Sequence, residues 1–478
     1  MLSRTPFGMR RLRLVLVTVL AVLAAGVVAV SSSAPAQAAG APLSATGQKW
    51  RLKVNGLYVS AEIDASGNDA GKLRARTTSP GGTEEFTLHT DTGGDTVTIR
   101  SQANGLYVSS EINDSGDHAG MLRARGTTTG SWERFEVVPG SDGSYALKSA
   151  ANGKYVTAEF NFTGDDEGLL RARSDTVGSW ERITLEKAGG TGSTTAPPAP
   201  SGAAGGTHHV TSWNVCADHN GSCSLDQATS SRITDTIAPQ IEKNGPEAVF
   251  LQEFCEKAAK PLELRLEQDT GLGWDVRFAP VYLEVSGASG LMAQKNCQND
   301  TAGVDRGAFG IAVAVPDENT WYRAYLLPSP TGKQQRPALC ATVPSKGIAY
   351  CGTHFSSGGA NWDDPDGTWR KKQADSLQAD IQGVQQAGFE PLFGGDLNVI
   401  PPDSSTIENP DVRSTLTALY ASYHECDQPA ADSPRSGDPT HGTLKIDYVF
   451  GSKAASYACT VTDSSASDHR LISATVTY

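Results

Sequence analysis

The stretch PLFGGDLNVI, residues 391–400, decides how the second half of this chain is read. Apolar residues run into Gly394 and Gly395, and Asp396 and Asn398 follow two positions apart. Gly, Asp and Asn are turn formers, so one reading is a plain turn after a short strand. The other is a strand whose open end offers a carboxylate and an amide to a metal ion or a phosphate. Alternation along a strand would put Asp396 and Asn398 on one face, where both could meet one ligand.

Neighbouring segments repeat the pattern. HHVTSWNVCA, EAVFLQEF, GAFGIAVAV, PALCATV, GIAYCGTHF, LKIDYVFGS and LISATVTY are short, apolar and β-branched, as strands are. SSRITDTIAPQIEKN and DGTWRKKQADSLQADIQGVQQAG read as helices, the second placing Leu377, Ile381 and Val384 on one face. The order predicts two sheets covered by helices over residues 208–478, an α+β or α/β sandwich. Polar residues collect at the strand ends: Asn214, Glu253, His354, Asp396 with Asn398, Asp447, and Asp468 with His469. One such residue is ordinarily a cap or a satisfied structural group. Six such ends in one domain call for a chemical explanation.

Hydrolysis of a phosphate ester uses this set. Carboxylates hold a hard divalent cation, which prefers oxygen ligands. Amides and an arginine bind non-bridging oxygens without adding negative charge. A histidine oriented by a carboxylate accepts a proton from water near neutral pH.

The motifs W-N, Q-E, R-P-A, T-H, G-D-L-N, I-D-Y and S-D-H occur in this order. In that set the domain resembles the endonuclease/exonuclease/phosphatase superfamily, and within it deoxyribonuclease I and the nuclease subunit of cytolethal distending toxin. The resemblance implies a four-layered αββα sandwich. It implies Glu253 as the principal Mg²⁺ ligand, with Asn214 and Asp468 completing the cation's surroundings and Mn²⁺ or Ca²⁺ as alternative ions. Asn214, Arg336 and Asn398 would contact the phosphate. His469 would act as base toward water, held by Asp447, and His354 would donate to the phosphate or the leaving oxygen. Asp396 would be the water-activating group or a metal ligand, and Asp305 would pair with His354. Arg336, directly before its strand, resembles the nuclease branch, as does His441 in DPTHGTLKIDYV, for which a surface-loop role stands equally open.

Residues 41–187 repeat themselves. NGLYVSAEI, NGLYVSSEI and NGKYVTAEF begin at Asn55, Asn104 and Asn152, and LRAR recurs at 73, 122 and 170. A fixed period with Gly and Asn turns predicts a threefold all-β domain. These units resemble fascin-type β-trefoils, which implies a binding module at 40–187 with a glycan or actin as ligand. Core packing is the first expectation for Tyr58, Tyr107, Tyr155, Trp132 and Trp180. Residues 188–207 are rich in Gly, Pro, Ser and Thr and predict a flexible linker that tethers the module.

Arg4, Arg10, Arg11 and Arg13 precede an apolar run and then small residues, the pattern of a secretory signal peptide over 1–39. No later stretch is apolar enough to span a membrane. All eight cysteines lie beyond residue 207, an even number that suits disulfides in an oxidising compartment. With a loop at Ser345-Lys346, Cys340 would face Cys351 across antiparallel strands, within disulfide reach. The chain carries a formal charge of −13, so no general basic field attracts nucleic acid, and a nuclease here needs local cations and a metal. The expectation is a secreted, monomeric, Mg²⁺-dependent nuclease acting on DNA, with RNA as the other candidate nucleic acid. A sphingomyelinase-like lipid phosphodiesterase is the alternative enzyme, and an adhesin with an inactive second domain the non-enzymatic one.

Overall fold

The structure is a computed structural model describing residues 48–91, 93–140, 143–188, 197–218, 220–316, 319–358, 363–405, 412–429 and 433–478. The backbone of 41–43, 410 and 411 is also described. The leader expected over 1–39 and residues 189–196 of the linker lie outside these residues.

The β-branched and apolar runs of the second half build two sheets. One has seven strands in the order Ala41–Leu43, Trp321–Leu326, Pro337–Val343, Ile348–His354, Glu390–Asp396, Asp447–Gly451, His424–Glu425. The other has six, ordered Trp274–Pro280, Phe309–Pro316, Ala248–Cys255, Thr207–Asn214, Leu471–Thr477, Ser456–Thr462. Phe250, Ile311 and Val313 of the six-stranded sheet share a core with Leu339, Tyr350, Leu392 and Val449 of the seven-stranded sheet.

Helices cover the outer faces. Ser230–Glu242 packs Ile233, Ile237 and Ile241 on the six-stranded sheet, its first turn capped by the Thr229 side chain accepting from Arg232 N. Thr368–Gln386 buries Leu377, Ile381 and Val384 against Phe393 and Phe450 of the other sheet. The result is a four-layered αββα sandwich. A further helix, Ala259–Thr270, escaped the sequence reading. It buries only Leu262, Glu263 and Leu266, while Leu264 stands exposed, so its apolar stripe is faint.

Disulfides join Cys216 to Cys223, Cys255 to Cys297, Cys340 to Cys351 and Cys426 to Cys459. Cys340 and Cys351 stand opposite one another in register, with Val343 opposite Ile348. Four bridges are consistent with an oxidising, extracellular setting. Among the described residues, no helix is long and apolar enough to cross a membrane.

The three repeats form a β-rich, barrel-like sheet. Its LRAR strands, Lys72–Thr77, Met121–Gly126 and Leu169–Ser174, pair with one another in a closed triangle. The first LRAR arginine of each repeat reaches into a turn of another. Arg74 donates to Glu167 O and Gly164 O, Arg123 to Ala70 O and Gly67 O, and Arg171 to Ala119 O and Gly116 O, at 2.9–3.1 Å. Each guanidinium thereby ties two turn carbonyls of a neighbouring repeat to its own strand. Tyr58 and Tyr107 are buried, whereas Tyr155, Trp132 and Trp180 keep partial exposure.

The tethered arrangement expected from the linker is not what the structure shows. Strands Tyr282–Glu284 and Met292–Lys295, from the second half, continue the sheet of the repeats through Phe86–Thr90. Their turn sends Val285, Ala288, Leu291 and Ala293 into the core of the repeats. Arg100 pairs with Glu256 at 3.3 Å, and Gln48 N donates to the Tyr282 hydroxyl at 2.6 Å. The described part of the linker also lies on the second domain, with Ser201 N donating to Pro344 O at 2.9 Å. Residues 41–43 belong to the seven-stranded sheet, not to the repeats. Local patterning could not reveal this, because a hairpin's apolar face does not name the surface it meets.

Candidate active site

The strand Glu390–Asp396 lies between Ile348–His354 and Asp447–Gly451, and in this register Asp396 stands opposite both His354 and Asp447. Three of the strand-end residues thus sit side by side on adjacent strands. The two glycines before Asp396 permit it. A Cβ on Gly394 would stand 1.9 Å from Tyr448 O, and one on Gly395, at φ +135°, would stand 1.9 Å from Thr353 O. The strand ends at Asp396, so Asn398 does not share its face by alternation. Instead Asn398 turns into the left-handed region at φ +50°, and its N–H donates to Asp396 Oδ1 at 2.9 Å. The two readings of GGDLN were therefore not exclusive: the turn positions the amide.

The six-stranded sheet brings Asn214 and Glu253. Asn214 stands opposite Gln252 on parallel strands. Pairing with Phe309–Pro316 slips between Leu251 and Phe254, and Glu253 adopts φ +54°. A bulge of this kind re-aims a side chain at a strand end, and backbone strain of this sort collects at functional sites.

Side chains then form one network. Asp447 Oδ2 accepts from His469 Nδ1 at 2.9 Å, and His469 Nε2 lies 3.8 Å from Asp396 Oδ2. Asn214 Nδ2 donates to the same Asp396 oxygen at 3.1 Å, and His354 Nε2 is 3.4 Å from it. Arg336 donates to His354 Nδ1 at 3.0 Å and reaches Asp363 at 3.3 Å. Asn398 Nδ2 lies 3.2 Å from His354 Nε2 and donates to Phe355 O. Arg370, fixed by Asp364, holds the Asn398 carbonyl at 2.5 Å. Asp468 is the outlying member: it is exposed, accepts from Asn220 at 2.9 Å and lies 3.5 Å from His441 Nε2. His441 is more than a surface residue, its ring packing against His469 at 4.6 Å.

Burial and neighbouring charge separate the titrations. Burial, then the Arg336 charge, drives His354 well below the usual imidazole range, so it is neutral. Burial, with Asp447 next, pushes Asp396 up to about 7. For His469 burial acts downward, but Asp447, Asp396 and Glu253 outweigh it and lift the ring to about 10. Glu253 is raised, chiefly by burial.

One expected pairing is absent. Asp305 does not reach His354; it lies 2.8 Å from Lys257 Nζ, and its charge acts on Tyr107 of the repeats. Its place in VDRGAF marks the junction between the modules. Two supporting residues were missed. Asp363 anchors Arg336, and the Thr440 hydroxyl accepts from Ile446 N and Asp447 N at 3.0 Å. Thr440 stood beside the noted His441, but a backbone contact leaves no motif.

A family model for the Endonuclease/Exonuclease/phosphatase family matches residues 211–469, more than half of the chain. The chain belongs to that family. Endonuclease/exonuclease/phosphatase proteins are generally hydrolases of phosphoester bonds and typically depend on a divalent metal. The chain is similar to the catalytic domain of human Nocturnin with bound sulfate, at 18% identity over 57% of this chain and 93% of that one, TM-score 0.40. It is similar to truncated TDP2 of Caenorhabditis elegans, at 16% identity over 57% and 98%, TM-score 0.37. A designed 3-fold symmetric protein, ThreeFoil, is similar at 19% identity over 29% and 96%, TM-score 0.25. No curated protein matches.

The residues present fit the family's metal. Glu253 is a partly buried carboxylate, raised chiefly by burial and further by Asp468, so a cation would favour its ionisation, and Glu253, Asn214 and Asp468 all offer oxygen ligands. Asp447 Oδ1 is buried with no hydrogen-bond partner.

Proposed function

We propose that this protein is a secreted, divalent-cation-dependent phosphodiesterase, a deoxyribonuclease I-like endonuclease that hydrolyses DNA and accepts RNA, with Mg²⁺ as the ion. One observation carries the reading: Asn214, His354, Asp396, Asp447 and His469, from five separate strands and turns, meet within hydrogen-bonding or ion-pairing distance around Asp396. Glu253, Asn214 and Asp468 would hold the cation, which supplies charge neutralisation at the phosphoryl oxygens.

The protein's own groups divide the remaining work. Arg336 and Asn398 hold the non-bridging oxygens. His354, neutral and backed by Arg336, donates a hydrogen bond toward the phosphate. Asp396 and His469 act as one unit, accepting a proton from the attacking water on the carboxylate poised near 7. His469, kept cationic by Asp447, then stabilises the charge that develops. This shifts the base role expected of His469 toward Asp396, because a ring lifted to about 10 already carries its proton at neutral pH.

We read the N-terminal module as a fascin-like β-trefoil, supported by the closed triangle of LRAR strands and the repeated arginine contacts, and we assign it a glycan in preference to actin, given the export signal.

Purified full-length protein, incubated with plasmid DNA, RNA and sphingomyelin vesicles, with Mg²⁺ or with chelator, tests the reading beside a His469→Ala control. Nicked plasmid in the metal lanes alone is the expected result. Hydrolysed vesicles beside intact nucleic acid would replace it with the lipid reading.

A further inference from the structure

Lys295 ends the strand Met292–Lys295 and is only 2% exposed. Lysines are almost never buried so deeply without a carboxylate partner, since an unpaired ammonium loses its hydration with nothing in return. Among the described residues, however, the Lys295 ammonium makes neither a hydrogen bond nor an ion pair. It lies over the Phe309 ring, 3.7 Å from the centroid, which offers a weak cation contact.

Most of its electrostatic neighbours belong to the candidate active site; Asp218, the first of them, is held instead by Arg306 at 2.6 Å. Asp218, Arg336, Glu253 and Asp363 act on its charge, and its charge in turn acts on His354. Burial first of all lowers its pKa to about 8, which leaves it chiefly protonated at neutral pH. The backbone here is fixed from both modules. Lys295 N donates to Val281 O, and Asn296 N donates to Thr90 O, each at 2.8 Å. His89 Nδ1 and Asn296 Oδ1 lie 3.0 Å apart.

We propose that Lys295 is a substrate-binding residue whose ammonium takes a non-bridging oxygen of the substrate phosphate beside Arg336. The assignment rests on the phosphodiesterase reading for its substrate class, but phosphate binding tests it separately. Lys295→Met keeps the unbranched apolar stem and removes the ammonium. In the full chain with Mg²⁺, this variant is expected to bind inorganic phosphate at least about tenfold more weakly by calorimetry and to raise KM for a DNA duplex by a similar factor. Its Tm should stay level or rise, because a buried charge without a partner has gone.

A phosphate affinity and KM within about twofold of wild type would overturn the proposal, as would a wild type that binds no phosphate. Phosphate binding that depends on Lys295, in a protein that cuts no phosphodiester, would uphold the site and overturn the activity. A second measurement needs no variant. In wild type near pH 8, phosphate should protect Lys295 from reductive methylation while leaving exposed Lys260 unprotected, read by peptide mass spectrometry. Equal labelling of Lys295 with and without phosphate counts against the assignment.

Discussion

Asp396 takes hydrogen bonds from Asn214 and from the Asn398 backbone while two imidazoles lie within 3.8 Å of one of its oxygens. A side chain so placed has no slack. Replacing His469 by Ala should lower kcat for DNA by about 10²–10⁴-fold, as loss of a proton-transfer unit does, with the folded state retained by circular dichroism. A different residue governs acid stability. His208 first, then Lys346, hold Glu247 down to about 2, at 3.1 and 3.0 Å. A depressed folded value gives stability that is present above the ordinary value of 4.5 and is lost as pH falls through about 2. Glu247→Gln should therefore lose about 1–2 kcal/mol at pH 7 in urea unfolding, after allowance for its partial exposure. That difference should shrink through the acid window; a gap that persists to the lowest pH would contradict the assignment. The strand-end carboxylates, amides and histidines were legible because hydrolysis restricts residue types. Lys295 and Asp363 were not, because a lysine or aspartate in a loop-like stretch reads as surface.

The strand Glu390–Asp396 and the helix Thr368–Gln386 answer opposite demands on glycine. Gly395→Ala would drive a methyl into Thr353 O from a left-handed backbone, and should cost more than about 3 kcal/mol or abolish soluble expression. Gly383 lies on the exposed face of the helix with no atom within 4 Å of a built Cβ. Gly383→Ala should therefore stabilise by about 0.5–1 kcal/mol, measured by chemical denaturation. Both residues look alike in the sequence; what differs is which carbonyl crosses above them. The amphipathic helices and period-two strands were readable for a similar reason, since burial on one face imposes a rhythm. Ala259–Thr270 lacks that rhythm and was missed. The slip at Glu253 was also hidden, because a bulge adds one residue without changing composition.

The hairpin that enters the core of the repeats makes the two modules thermodynamic partners. Calorimetry should give one cooperative transition for the full chain, not two separated ones. Proteolysis within residues 189–196 should leave two fragments that still elute together, since their contacts do not run through the linker. Separation of the nicked fragments on gel filtration would argue that the shared sheet contributes little. Repeats and a linker were plain in the sequence, yet their docking was not, because which surfaces meet is written in shape and not in period.

The shared core has an evolutionary corollary. A domain hung on a string can be traded between genes, but here exchange would strip Val285, Ala288, Leu291 and Ala293 of their cover and unseat the backbone beside Lys295. Catalyst and accessory module must be inherited, or engineered, as one piece.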